Sequence, residues 1–469
     1  MDNRILHHDI FLSYYGDDST GSTDVMESLA LNGIPTALFL QAPDPTEVAD
    51  FRLKGGVGTY YDTDRLKAFG VAGVSRSMSK KEMDKELPKI FEKISKIPSD
   101  FFQLKVCSTF DSSPEIGNIG YTAEIALEYF PSDTIPLIVG APFLNRFVIF
   151  GNLFARVGEK TFRLDRHPTM SKHPITPMNE SDLQLHLGNQ TDKLIQLMDA
   201  FAIDDEYGDF MMFYKNLKKN KDSYILFDTI SIEHMERIGQ LLIKAKDRNT
   251  QFFVGASGAN WALAMYLQET GKISKPVELL KPGKADKMMV LAGSCAPGTS
   301  NQIKYMEQKG HKGIRLNTVN LISMDRESEI ELVSSTAIKA ISRGKVPLIY
   351  TALGPYDAAI SETRMEMSQK GITNYAEVLA GSQGTIAARV IEKVGKTRIA
   401  VAGGDTSGYV SRTLGINALE LLAPMAPGSP LCIAHSGNKK FDGLEIALKG
   451  GQNGNEKYFE SIMIGELLN

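Results

Sequence analysis

Three cysteines, Cys107, Cys295 and Cys432, are all that the 469 residues contain. They are odd in number and far apart, which argues against a disulfide framework. No stretch approaches the ~18 uninterrupted apolar residues of a membrane span. Basic residues are not in excess: 52 Lys and Arg stand against 56 Asp and Glu, a formal net charge of −4. That balance removes any general reason to expect nucleic-acid binding. The N-terminal "MDNRILHHDIFLSYYGDD" has one arginine, an acidic break at Asp9 and no small-residue cleavage site, so it does not read as a secretory leader. His7 and His8 are neighbours, while His167, His173 and His186 lack the spacing of a zinc site. The G-x-S-x-G elbow of serve-and-release hydrolases is also missing. These absences predict a cytoplasmic protein that binds neither membrane nor nucleic acid and acts on a small molecule.

What is present is alternation. At 42% hydrophobic and 23% charged residues, the composition is globular, and the length predicts two domains. "DIFLSYY", "IPTALFL", "VAGVSRS", "FFQLKVCSTF" and "TIPLIVG" read as strands between helical patterns. "FVIFGNLFARVGEKTF" reads as a hairpin, and the proline-bearing 167–182 stretch as a loop. A second alternating series starts near Ser223, after the charged "KNLKKNKD". The expectation is therefore two α/β domains, 1–222 and 223–469, each with a mainly parallel sheet flanked by helices.

Ligands of such sheets bind beyond the carboxyl ends of strands. In the second half, "VGASGAN", "AGSCAPGTSNQ" and "AGGDTSGYV" each place small residues between a strand and a helix. There the backbone can approach a phosphate and the helix N-terminus favours an anion. "GSCAPGTS" has P-loop glycine spacing but carries Thr299 where a phosphate-binding lysine belongs, and G-x-G-x-x-G is absent. Near the C-terminus, Lys449 precedes Gly450, Gly451, Asn453 and Gly454. That arrangement suits either a polyphosphate contact or a plain turn with a solvated lysine.

In the first half, "YYGDDSTGSTDVMESLALNG" sets Asp17 and Asp18 before a helix expected near Asp24, with Ser22 or Thr23 as its cap. Capping explains the hydroxyls but not two neighbouring acids, which repel unless a cation or hydrogen-bond donor offsets them. A polyol supplies donors, and one carboxylate can take the proton of the hydroxyl that attacks phosphorus. Other strand ends add Ser75 and Arg76, then Lys105, Ser108, Thr109 and Asp111, then Gly117 and Asn118, then Arg146. An arginine fork among them suits a substrate carboxylate.

On "DDSTGSTD", "AGGDTSG" and "LKGGQNG", in that order, the chain resembles the four-carbon acid sugar kinase family over nearly its whole length. The resemblance implies an N-terminal sugar-acid domain, a C-terminal nucleotide domain and a reaction in the cleft between them. It implies that Asp17 and Asp18 hold substrate hydroxyls, one of them serving as base, and that Arg76 holds the carboxylate; Asp18, nearer the glycine turn and the helix N-terminus, is the expected base. Ser75, Lys105, Ser108, Thr109, Asn118 and Arg146 would complete the acid site. Ser257, Ser294, Gly403, Gly404, Asp405, Thr406, Ser407 and the Lys449–Gly454 loop would hold ATP, with Asp405 on Mg²⁺; a homodimer is compatible with this. One departure stands out. Where many members read "KxDSTxRGN", this chain reads "KVCSTFDSSPEIGN": Cys107 replaces the aspartate and the arginine is gone. That points to a differently shaped acid, such as a branched apionate derivative. A non-catalytic sensor and an ATP-dependent carboxylate ligase are the other readings, and analysis of the products separates the three.

Overall fold

A computed structural model describes residues 6–55, 63–173, 176–274, 281–372 and 374–467. The chain forms two compact units. The first comprises Met1–Arg52 and Tyr61–Val277, the second Leu53–Tyr60 and Glu278–Asn469.

In the first unit, eight strands form a parallel sheet: β1 (Ile10–Gly16), β2 (Thr36–Phe39), β3 (Ala68–Ala72), β4 (Ser99–Lys105), β5 (Thr134–Ile138), β9 (Leu194–Met198), β10 (Ser223–Phe227) and β11 (Gln251–Gly255). Their order is β2-β3-β1-β4-β11-β5-β10-β9. Every residue of β1 and β4 is buried, as expected of strands covered on both faces. Phe102 of β4 stacks on Phe130, 3.7 Å between centroids, and anchors the core on one face. The helix Lys80–Ser95 shows why such segments are helical. Ser79 and Glu82 form a capping box, and Met83, Leu87, Phe91 and Ile94 make one buried stripe.

The remaining strands of this unit, β6 (Arg146–Ile149), β7 (Asn152–Val157) and β8 (Lys160–Arg163), form an antiparallel sheet of three. The expected hairpin thus gains a third strand. The buried Asp228 carboxylate accepts N–H bonds from Phe150 and Gly151 at the first turn and from Ala200.

The second unit holds β12 (Met288–Ala292), β13 (Lys312–Arg315), β14 (Pro347–Tyr350), β15 (Arg398–Ala402), β16 (Ile416–Ala423), β17 (Leu431–Ser436) and β18 (Glu445–Lys449). Their order is β13-β14-β12-β15-β18-β17-β16. The first five are parallel, and β17 runs antiparallel to both β18 and β16.

The division between the units corrects the sequence-based boundary at 222/223. β10 pairs with β5, and β11 lies between β4 and β5, so residues 223–277 complete the first sheet. The supposed linker is instead the C-terminal part of a capped helix, Phe210–Leu217, and the turn after it. A polar, charged surface on a short amphipathic helix looks like a linker in sequence because only one face is apolar.

Candidate functional site

At the C-terminal end of β1 the chain turns through Asp17 into the helix Ser19–Leu31. That helix starts earlier than expected, and its cap is Asp18 rather than Ser22 or Thr23. Asp18 Oδ1 accepts from Gly21 N at 2.7 Å, and its carbonyl accepts the Ser22 hydroxyl at 2.6 Å. Asp17 and Asp18 do share a cation. Arg76 donates from Nε to Asp17 Oδ2 at 3.0 Å and from Nη2 to Asp17 Oδ1 at 2.7 Å, and Nη2 also lies 3.0 Å from Asp18 Oδ1. The fork expected to hold a substrate carboxylate is therefore occupied by the protein's own. Burial raises the Asp17 carboxyl and Arg76 only partly opposes it; Arg76 itself stays protonated.

The two acids differ in access. The Asp17 side chain is 7% exposed and that of Asp18 29%. Asp18 Oδ2 has no hydrogen bond within the described residues. Lys105, the last residue of β4, is buried with its ammonium 3.7 Å from Asp24. A Cβ on Gly21 would stand 2.5 Å from Asp18 Oδ1 and 3.0 Å from Lys105 Nζ. The absence of a side chain there is what lets carboxylate and ammonium converge over the first helical turn.

After β4, Cys107 and Thr109 lie 2.9 Å apart, and Thr109 donates to Asp111 at 2.6 Å. The thiol is thus the donor to Thr109. Burial, reinforced by Asp111, pushes Cys107 up to about 11, so it is a neutral thiol at pH 7. Burial opposes ionisation of Asp111, but Arg76 and Thr109 outweigh it and hold that carboxyl below its usual range. Ser108 sits half-buried in the same turn. Ser75 and Arg76 belong to a short 3₁₀ turn, since β3 ends at Ala72. Asn118 is fully buried as a helix cap, accepting from Tyr121 N and donating to Pro114 O. Each end of its amide makes one bond, so the cap fixes the orientation of the side chain. Arg146 opens β6, half-buried.

In the second unit the strand-end turns after β12, β15 and β18 converge, because those strands are neighbours. Gly403 N donates to Lys449 O at 2.9 Å, and Ser294 N to Ala402 O at 3.1 Å. A Cβ on Gly451 would come within 2.3 Å of Ser294 Oγ. Gly403, at φ +122°, requires glycine; Gly404 faces open space. Asp405 lies exposed in the first turn of the helix Gly404–Thr413, and Thr406 and Ser407 are buried beneath it, Ser407 Oγ donating to Gly403 O at 2.8 Å. Asn453 donates to Ser429, and Gly454 adopts φ +76° in the loop that follows Gly450.

Two residues expected to contact nucleotide, Ser257 and Lys449, are buried. Ser257 begins a helix of the first unit, fully buried, its hydroxyl without a partner among the described residues. Lys449 is 2% exposed, its ammonium donating to Thr299 Oγ1 at 3.2 Å and Gly451 O at 3.3 Å. It lies beneath the turn rather than over it. Thr299, set aside for not being a P-loop lysine, ties the turns together by donating to Gly451 O at 2.8 Å.

Beside these turns is a cavity of about 220 Å³, walled by Thr351, Ala352, Ile360, Thr363 and Met367 and bordered by Asp405. Gly293, Cys295, Asp405 and Thr406 of the quoted turns line one part of it, while the rest of its wall comes from residues 318–383 that carry no motif. Among the described residues no cluster of three or more His, Cys, Asp or Glu side chains is able to hold a metal, and no helix is long and apolar enough to cross a membrane.

Comparison with known proteins matches this division. Residues 12–263 match the sugar-binding N-terminal domain family, and residues 289–459 the nucleotide-binding C-terminal domain family. A 3-oxo-isoapionate kinase of Paraburkholderia graminis is 37% identical, covering 98% of this chain and 95% of that protein. A 3-oxo-tetronate kinase of Cupriavidus necator is 27% identical with 98% of each covered. The crystal structure of a Haemophilus influenzae protein shares the fold, with a TM-score of 0.71 at 23% identity over 96% of this chain and 98% of that one. With matching domains in order and a 37% identical relative along its length, the chain belongs to the four-carbon acid sugar kinase family.

Proposed function

We propose that the chain is an ATP-dependent kinase that phosphorylates a hydroxyl of a four-carbon or branched sugar acid, the similarity to a 3-oxo-isoapionate kinase favouring a branched one. The observation that carries the mechanism is Asp18. It is the more exposed of two neighbouring carboxylates, one oxygen is fixed by the helix cap and Arg76, and the other is free. A substrate hydroxyl donates to Asp18 Oδ2 and passes its proton there as its oxygen attacks the γ-phosphorus. The carboxylate stands at a helix N-terminus, where the backbone N–H groups favour an anion. Asp17 serves by fixing Arg76, and Lys105, Ser75, Ser108 and Thr109 supply further polar contacts for the acid.

ATP belongs to the second unit. The base occupies the apolar-walled cavity, and the convergent turns at Ser294, Gly403–Ser407 and Gly450–Gly454 offer backbone N–H groups to the phosphates. An acidic residue at this phosphate-binding helix start is repulsive unless a cation intervenes. Asp405 suits Mg²⁺, which takes one or two carboxylates together with phosphate oxygens and water. The ion would neutralise charge on the transferred group.

The test is ADP release with ATP, Mg²⁺ and a panel of four-carbon and branched sugar acids, with the product identified by mass. A phosphate ester with ADP is the expected result. AMP with an amide or thioester, or no turnover with any acid, would overturn the assignment.

A further inference from the structure

Arg76, the arginine expected to receive the substrate carboxylate, spends its fork on Asp17 and Asp18. The arginine of the usual "KxDSTxRGN" strand end is absent, so an acid substrate needs another anchor. Among the buried donors of the first unit that lack acceptors, two lie on or just after the three-stranded sheet. Arg146 opens β6. Its Nη1 donates to the carbonyls of Leu144 and Asn145 at 3.1 and 3.2 Å, while its Nε is buried and unpartnered among the described residues. Among the described residues no carboxylate pairs with it. The group that acts on it is Cys107, a neutral thiol at pH 7. A half-buried guanidinium without a counter-charge is unfavourable unless an anion arrives.

The second donor is His167, which follows β8 and is 5% exposed. Its Nδ1 accepts from Thr169 N at 3.2 Å and Met170 N at 3.1 Å. Two donors at Nδ1 fix the neutral tautomer with the proton on Nε2. That Nε2–H is buried and has no acceptor among the described residues. The Arg146 charge bears on the His167 ring, and Cys107 interacts with both Arg146 and Arg76. Geometry joins the two donors: Arg146 pairs with Ala155 of β7 and Ala155 with Phe162 of β8, which puts Arg146 and Phe162 on one face of the sheet, and the Phe162 ring lies 6.2 Å from that of His167.

We propose that Arg146 and His167 form the carboxylate anchor of the acid site, with the Cys107 thiol between that anchor and the hydroxyl-binding end at Asp18. Arg146 supplies charge and N–H donors, and the His167 Nε2–H supplies a directed neutral donor. A small neutral thiol there puts no negative charge beside the incoming carboxylate. It also leaves room for a branched carbon skeleton. This deepens the sugar-acid kinase reading and rests on it.

Calorimetry with threonate as the acid probe and threitol as its neutral counterpart tests the anchor, using the full chain. The wild type should bind threonate at least tenfold more tightly than threitol. Arg146→Gln should remove that preference, and His167→Phe should weaken threonate binding about tenfold. His167→Gln, which restores an N–H donor, should recover part of the loss. Asp18→Asn should keep the acid-over-polyol preference even where overall binding falls. Thermal melting identifies variants that fail to fold, and Arg146→Lys, which keeps the charge but loses the fork, is the fallback for Arg146. An Arg146→Gln protein that folds and still prefers threonate overturns the proposal, as does a wild type with no preference. A wild type that prefers threonate through Arg146 yet turns over no acid with ATP would uphold the anchor and defeat the kinase reading.

Discussion

Arg76 grips Asp17 with two bonds, Nε to Oδ2 at 3.0 Å and Nη2 to Oδ1 at 2.7 Å, while the same Nη2 reaches Asp18 at 3.0 Å. Both partners are largely withdrawn from water, so losing one strands the other. Arg76→Met should destabilise the protein by about 3 kcal/mol, and Asp17→Asn combined with it should be less damaging than the single change. Urea unfolding measures both. A single variant as stable as the wild type would show that the pair carries no structural role.

Asparagine caps a helix about as well as aspartate, so Asp18→Asn separates cap from base. The variant should melt close to the wild type, bind ATP normally and lose about 10²–10⁴ in kcat. If turnover persists while the melting temperature drops, Asp18 is a cap and nothing more.

The parts of this site that were legible in the sequence are those fixed by local chemistry. Asp17 and Asp18 before a helix, and glycines at Gly403 and Gly451, are constraints a short stretch expresses by itself. What was hidden depends on strand order. Because β11 inserts between β4 and β5, Ser257 falls in the first unit although it lies beyond the expected boundary. Lys449 reads in sequence as either a polyphosphate contact or a solvated cation, and only the fold puts Thr299 and Tyr458 around it. His167 lies in a proline-bearing stretch without periodicity, and only its place after β8 brings it to Arg146.

Lys449 makes a pH-dependent prediction. Burial among Thr299, Gly451 and the rings of Tyr458 and Phe459 lowers it from 10.5 to about 8. Between those values the unfolded chain holds the extra proton. This group therefore adds stability as pH rises from about 8 to 10.5, and none below 8, where both states are charged. The gain is at most about 3 kcal/mol. Lys449→Met should flatten that part of the stability–pH curve and change the KM for ATP only slightly. A large rise in KM with an unchanged curve would mean that the ammonium reaches the phosphates.

Asp405 is exposed and has no ion-pair partner among the described residues, so its loss should not harm folding. Asp405→Asn should weaken ATP binding at least tenfold when Mg²⁺ is present and have little effect or strengthen binding when the metal is chelated. Calorimetry under both conditions reads this directly. Equal loss in both would assign Asp405 to something other than the metal.

Gly404 and Gly451 give the sharpest contrast in the nucleotide site. A Cβ on Gly451 would collide with Ser294 Oγ at 2.3 Å and Ala296 Cβ at 2.9 Å, whereas one on Gly404 meets nothing within 4 Å. Gly451→Ala should therefore disturb the turns themselves, lowering both the melting temperature and ATP affinity. Gly404→Ala leaves the protein's own packing intact and, at the start of a helix, gains slightly in stability. Any ATP affinity it loses comes from a ligand that needed the space. If phosphate lies against this turn, Gly404→Ala should weaken ATP at least tenfold without lowering the melting temperature and leave sugar-acid binding unchanged. Unaltered ATP binding in that variant would move the phosphates away from the Gly403–Ser407 turn, since a methyl group there has no other neighbour to meet.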